Sequence, residues 1–288
     1  MTTLVHVSDL HFGRPAVSEQ LDSLLKYIGR LKPDAVAVSG DLTQRCSIAE
    51  FRQARDYLEA IGRVAPYIVI PGNHDIRWLG AVLRNLGIVG FIGRRAHEHK
   101  YSRYRRYISE DLSPSLTIPG VVIAGLNTAH GITRGSLTRR LRDLGVIGHV
   151  RSDDLAHVRR TFEEAPPEAA RVVMIHHNLM RGPISGRHGL ANTDEALRAF
   201  ASLGAELVLC GHDHQEAVHS VETSEAGLVI STAGTISSRR RPGHPSSFNL
   251  VRVREESLSI TIYAWSEKAG DFSPAGEHLF PRRARKRP

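Results

Sequence analysis

Five apolar runs in this 288-residue chain each end in side chains able to hold a metal ion, and that pattern restricts the fold more than any other feature. Val5-His6-Val7-Ser8 leads into Asp9-Leu10-His11, Ala37-Val38-Ser39-Gly40 into Asp41, and Ile68-Val69-Ile70-Pro71-Gly72 into Asn73-His74-Asp75. Val173-Met174-Ile175 leads into His176-His177, and Val208-Leu209-Cys210-Gly211 into His212-Asp213-His214. Short runs rich in β-branched residues read as buried strands. In an open α/β sheet, ligands gather outside the carboxyl ends of the strands, so residues far apart in sequence can meet there. A lone Asp-x-His or Gly-Asn-His would be an ordinary turn. An ordered series at successive strand ends is a site, and its convergence requires one domain.

The predicted strands are 3–7, 35–38, 67–70, 121–124, 172–175, 206–209 and 228–231, with helical patterns at 18–31, 48–61, 153–164 and 193–203 between several of them. Ser47, with Glu50 in the first turn, reads as a helix N-cap, as does Thr193 followed by Asp194 and Glu195. Alternation of this kind predicts an α/β layered fold. Two last runs, 248–253 and 258–264, read as a hairpin adding antiparallel strands to a sheet edge. Gly40, Gly72 and Gly211 suit turns that leave a strand tightly beside a bound ion.

The expected organisation is one domain over 1–281, a cap or lid insertion at 87–119, and a basic C-terminal tail at 282–288. The insertion mixes arginines and tyrosines over 93–107, which suits either a solvated helix or a lid meeting an anionic substrate. With 41% apolar and 24% charged residues, the composition is that of a globular protein in water. The opening residues Met1-Thr2-Thr3-Leu4-Val5-His6 carry neither the basic nor the apolar stretch of a secretory leader, and no apolar run reaches roughly 18 residues, so a cytoplasmic location is expected, with peripheral membrane attachment as the variant. The net charge of +8 favours anionic partners, and the tail is a candidate contact for nucleic acid or acidic lipid. Cys46 and Cys210 are too few for a disulfide framework and read as structural.

Imidazoles mixed with carboxylates and an amide suit Mn, Fe or Zn better than Mg or Ca. Asp9, His11, Asp41, Asn73, His176, His212 and His214 exceed one tetrahedral site but are enough for two divalent ions about 3.5–4 Å apart.

In order and type, Asp9-x-His11, Gly40-Asp41, Gly72-Asn73-His74-Asp75, His176 and Gly211-His212-x-His214 resemble the signature of the calcineurin-like metallophosphoesterase superfamily. Leu126-Asn127-Thr128 and the overall size look most like its class III cyclic-nucleotide phosphodiesterase branch. The resemblance implies a four-layer α-β-β-α sandwich. It implies that Asp9, His11, Asp41 and His214 hold one ion and Asp41, Asn73, His176 and His212 the other. It further implies in-line attack on phosphorus by hydroxide held between the ions, with His74 as proton donor, or hydrogen-bond donor in the transition state, and Asp75 orienting it. His177, Asn127, His130 and Arg105 are the expected substrate contacts.

The expected activity is hydrolysis of phosphodiesters in a small or nucleotide-like substrate. Rival readings are a nuclease of the DNA-repair type, a UDP-diacylglucosamine-type pyrophosphatase and an inactive scaffold. The pyrophosphatase family has Arg where this chain has His74. A scaffold would lack ligands that are present here.

Overall fold

Alternating side chains along the central strands are buried on both faces, and this produces four layers. In strand β1 (Thr2–Val7) Leu4 packs between two sheets, whereas Val5 and Val7 pack against helices. The same division holds in β2 (Ala35–Val38), where Ala35 and Ala37 face the second sheet and Val36 and Val38 the helices. A strand buried on both faces carries no polar alternation, so its sequence reads as a continuous apolar run.

The computed structural model describes residues 1–76, 99–131, 146–180, 189–222 and 227–282. The remaining strands are β3 (Tyr67–Val69), β4 (Ser115–Ile118), β5 (Val121–Gly125), β6 (Ala170–Met174), β7 (Leu207–Cys210), β8 (Ala217–Glu222), β9 (Gly227–Thr232), β10 (Ser247–Val253), β11 (Ser257–Ser266) and β12 (Asp271–Pro281). The first sheet has the order β12-β11-β10-β1-β2-β3 and the second β4-β5-β6-β7-β9-β8. Parallel pairing joins β1, β2 and β3 in one sheet and β5, β6, β7 and β9 in the other.

Helices α1 (Ser18–Leu31) and α2 (Ile48–Gly62) cover the first sheet through Leu24, Ile28, Phe51, Leu58 and Ile61. Helices α4 (Ser152–Glu163) and α5 (Thr193–Ser202) cover the second through Val158, Phe162, Ala196 and Phe200. The α-β-β-α sandwich is therefore the observed architecture. Helix α2 starts with a full capping box: Glu50 N–H donates to Ser47 Oγ at 3.2 Å, and Ser47 N–H to Glu50 Oε2 at 3.0 Å. Thr193 is not a cap. It is the first helical residue, and its hydroxyl donates to the Leu190 carbonyl.

The hairpin expected at the C-terminal end is a three-stranded meander, β10-β11-β12, whose first strand runs antiparallel to β1. Edge strands β4, β8 and β12 were not anticipated. Their sequences mix polar with apolar residues at a sheet margin and carry a weaker pattern.

Of the expected lid, 87–98 lie outside the described residues. Residues 99–119 are corrected: they are built into the fold. Helix α3 (Ser102–Tyr107) follows fully buried Tyr101, and fully buried Tyr104 packs on the first sheet's helical core, so neither ring is free to stack on a substrate. Ser115–Ile118 is edge strand β4.

Arg282, expected to begin the basic tail, is a clasp. Its guanidinium donates to both carboxylate oxygens of Glu206 at 2.8 and 3.2 Å and to the carbonyls of Arg254 and Glu168, tying the end of the first sheet to the second. Residues 283–288 lie outside the described residues. No helix among the described residues is long and apolar enough to cross a membrane.

Candidate metal centre

The loops after β1 and β2 run side by side, with Asp9 N–H donating to the Gly40 carbonyl, His11 N–H to Asp41 and Phe12 N–H to Leu42. On the second sheet, Gly211 N–H donates to the His176 carbonyl. These bonds join the end of β1 to that of β2 and the end of β6 to that of β7, and His212 N–H, donating to Asp9 Oδ2 at 2.9 Å, links the two pairs. The glycines provide the clearance: a Cβ on Gly72 would fall within 3 Å of Asp41 Oδ1, and one on Gly211 within 3 Å of Asp9 Oδ2.

Five of the seven expected ligands hold left-handed backbone at non-glycine residues: Asp9 (φ 56°), His11 (46°), Asp41 (52°), His212 (73°) and His214 (57°). Each such residue costs about 1–2 kcal/mol. Strain of this kind persists where the surroundings dictate it, and it clusters at functional sites.

The side chains fall into two sets. In the first, His11 Nε2 is 3.0 Å from His214 Nε2 and 3.6 Å from Asp9 Oδ1, and His214 Nε2 is 3.2 Å from Asp9 Oδ1. Ligand atoms of Asp9, His11, Asp41 and His214 all lie within 4.8 Å of one another. In the second, Asn73 Oδ1 is 2.9 Å from His212 Nδ1 and 3.1 Å from His176 Nε2. Asp41 Oδ2 lies between the sets, 3.9 Å from His11 Nε2 and 3.4 Å from His176 Nε2.

Backbone carbonyls fix the rings. Nδ1 of His176 is 2.8 Å from the Ser39 carbonyl, Nδ1 of His214 3.1 Å from the Arg239 carbonyl, and Nδ1 of His11 3.4 Å from the Thr43 carbonyl. A carbonyl only accepts, so each Nδ1 carries a proton, and Nε2 of His11 and of His214 presents its lone pair inward, while Nε2 of His176, beside Asp41, holds a second proton that a metal ion would displace. Lone pairs facing one another at 3.0 Å need an electrophile between them. Asp9 Oδ1, fully buried, has no hydrogen-bond partner, which is the same signal from the acid side. The donors fit a divalent transition ion.

Electrostatics agree with this arrangement. Burial would raise the carboxyls of Asp9 and Asp41, but the surrounding histidines overcome it and hold both well below the usual range. Burial lowers His212 to about 3, with His176 adding to the effect. His176 itself is lifted to about 9, because Asp41 and Asp9 outweigh its burial.

His74 stands next to this centre, its ring edge-on to His11 at 5.0 Å between centroids. Nδ1 is 2.8 Å from the Gln44 carbonyl, and Nε2 accepts from Arg239 Nη1 at 3.0 Å. Asp75 does not orient it. The buried Asp75 carboxylate accepts instead from the N–H groups of Leu42, Thr43 and Gly72 and from Thr43 Oγ1, bracing the loop after β2 against the loop after β3, and burial raises its pKa to about 6.

Among the expected substrate contacts, His177 lies nearest the second set, its ring 4.7 Å from that of His212. Its Nδ1 meets Thr128 Oγ1 at 2.7 Å, while Nε2 is buried without a partner. Buried His130 sits 3.8 Å from Asp154. Asn127 is instead a turn-former, accepting from Ala129 N–H and donating to Tyr101 Oη. Among the described residues, no hydrogen bond or ion pair joins Arg105 to the centre, and its Nε is buried without a partner. Gln44 and Arg239 were not anticipated. Arg239 lies in the segment that follows β9, so the strand-end rule applied once more would have found it.

Residues 2–216, well over half of the chain, match the calcineurin-like phosphoesterase family, and the chain belongs to that family. One relative is the glycerophosphodiester phosphodiesterase GpdQ of Enterobacter lignolyticus (strain SCF1), 37% identical over 87 residues that cover 25% of this chain and 29% of the relative. The match thus spans less than a third of that protein's length. Among solved structures, a purple acid phosphatase from yellow lupin, Lupinus luteus, superposes with a TM-score of 0.66 at 12% identity, over 98% of this chain and 54% of its own. A dimetal phosphatase from Danio rerio superposes with a TM-score of 0.57 at 13% identity, over 90% of this chain and 95% of its own. At such identities the likeness shows the fold. Family and site together define a metallophosphoesterase with a buried Asp/His cluster suited to metal binding.

Proposed function

We propose that this chain hydrolyses phosphodiesters of a small or nucleotide-like substrate, using two divalent ions of the Mn, Fe or Zn kind. The observation that carries this reading is the pair of ligand sets meeting at Asp41, with imidazole lone pairs turned inward and Asp9 Oδ1 unpartnered. Asp9, His11, Asp41 and His214 would hold one ion; Asp41, Asn73, His176 and His212 would hold the other. When bound, the ions supply Lewis acidity, neutralising phosphoryl charge and easing deprotonation of water near neutral pH.

The chain's own residues do the rest. Gln44 fixes one proton of His74 on Nδ1, so a second proton taken up at Nε2, in place of the Arg239 contact, would be the one passed to the leaving oxygen. Asp75 keeps the loops carrying Asp41 and Asn73 in register. His177 Nε2, buried and unpartnered beside the second set, would meet the substrate. The phosphodiester preference is supported by the activity named for the GpdQ relative.

The test is Mn²⁺-loaded protein assayed on bis-p-nitrophenyl phosphate and p-nitrophenyl phosphate, with metal content measured on the same sample. Two ions per chain and faster diester cleavage are expected; turnover of the monoester alone would overturn the diester assignment. A panel of cyclic nucleotides, glycerophosphodiesters, UDP-lipid and DNA then identifies the substrate.

A further inference from the structure

The run Arg239-Arg240-Arg241 contains three cations, and only one of them lacks a carboxylate. Arg240 Nη1 pairs with Glu267 at 2.9 Å on the surface. Arg241 pairs with Asp213 at 3.3 Å and also donates from Nε to the Asp213 carbonyl. Arg239 has no carboxylate partner among the described residues. Its Nη1 meets two neutral acceptors, His74 Nε2 at 3.0 Å and Gln44 Oε1 at 3.2 Å.

The residue is also held in place from behind. Its N–H donates to Ser237 Oγ at 3.3 Å, and its carbonyl accepts from Nδ1 of His214, a proposed ligand. Backbone and side chain therefore both touch the centre, and the half-buried guanidinium is aimed at the catalytic imidazole. A partly desolvated cation without a counter-charge is costly unless an anion completes it. A guanidinium carries five N–H donors in a planar fork, and the Nε and Nη2 groups of Arg239 donate to nothing among the described residues. That fork matches two oxygens of a phosphoryl group.

We infer that Arg239 binds a non-bridging phosphoryl oxygen of the substrate, on the side of the leaving group served by His74. This rests on the phosphoesterase reading above. It makes Arg239 a substrate-binding residue supplied from beyond the segment matched by the family, which ends at 216.

The experiment compares wild type, Arg239→Ala, Arg239→Lys, Arg240→Ala, His74→Ala and the Arg239→Ala/His74→Ala pair, all as full chains loaded with Mn²⁺. Readouts are metal content, KM and kcat on bis-p-nitrophenyl phosphate, and the dissociation constant for inorganic phosphate. A lost charge-assisted contact predicts about 10- to 100-fold weaker phosphate binding in Arg239→Ala. KM should rise, metal content should stay unchanged, Arg239→Lys should recover part of the loss, and Arg240→Ala should behave as wild type.

The double variant separates binding from positioning. If Arg239 contacts phosphate, its removal weakens phosphate binding equally with or without His74; if it acts only through His74, the effect vanishes in the His74→Ala background, and the inference is overturned. Unchanged phosphate affinity in Arg239→Ala, or metal loss in both Arg239 variants, would equally overturn it. Wild-type protein that fails to turn over any phosphoester counts against the proposed reaction, whereas phosphate binding lost in Arg239→Ala would still support this role.

Discussion

The ligand set around Asp9 and the set around Asn73 share Asp41 and are otherwise built differently. The first comprises two carboxylates and two imidazoles, and all four residues hold left-handed backbone. The second has only the shared carboxylate, with an amide and two imidazoles, and of its unshared members only His212 is left-handed. Fewer negative charges face the second position, and its three unshared ligands come from three separate strand ends. The first position should therefore bind its ion more tightly, and the second should be the exchangeable one.

The harshest test removes what the two share. Asp41→Ala should release both ions and lower kcat/KM on the order of a thousandfold or more, read by metal analysis and steady-state kinetics; a variant retaining both ions would end the shared-carboxylate scheme. Asn73→Ala should be selective, with one ion kept, one lost and activity down by roughly a hundredfold. Loss of both ions in equal measure would show that the sets are not separable.

Stepwise chelation of the wild type should show two phases, the weaker site emptying first, with activity following that first phase. A single cooperative release would erase the predicted difference.

The smallest effect is pH-dependent. In chelated protein His176, its pKa lifted to about 9, carries a proton at neutral pH that a metal ion must displace. Binding at the second position should therefore release a proton at pH 7 and weaken as pH falls, by about tenfold per unit below 9. Calorimetry in buffers of different ionisation enthalpy would detect this, and pH-independent affinity would contradict it.

The parallel strands and the Asp and His side chains clustered at their ends were legible because burial on both faces forces apolar runs, and because coordination admits few residue types. The antiparallel margins were not. Strand β12 includes Ser273-Pro274-Ala275-Gly276, which by itself reads as a turn and becomes a strand only through pairing with β11. Asp75 was misassigned because adjacency to His74 suggested contact, whereas the chain directs its carboxylate to Leu42 and Thr43. Tyr101 and Tyr104 lie in a cationic segment that reads as a solvated helix or a lid, and packing placed them in the interior.

Strand β1, which delivers Asp9 and His11, is flanked by β2 on one side and by β10 on the other, with His6 opposite Asn249. Strand β1 is thus seated by a strand made long after it. At a synthesis rate of ~5–20 residues per second, β1 waits on the order of tens of seconds for that neighbour. Contacts this distant in sequence form slowly. The Asp/His cluster is therefore completed late in folding, once β10 has paired with β1.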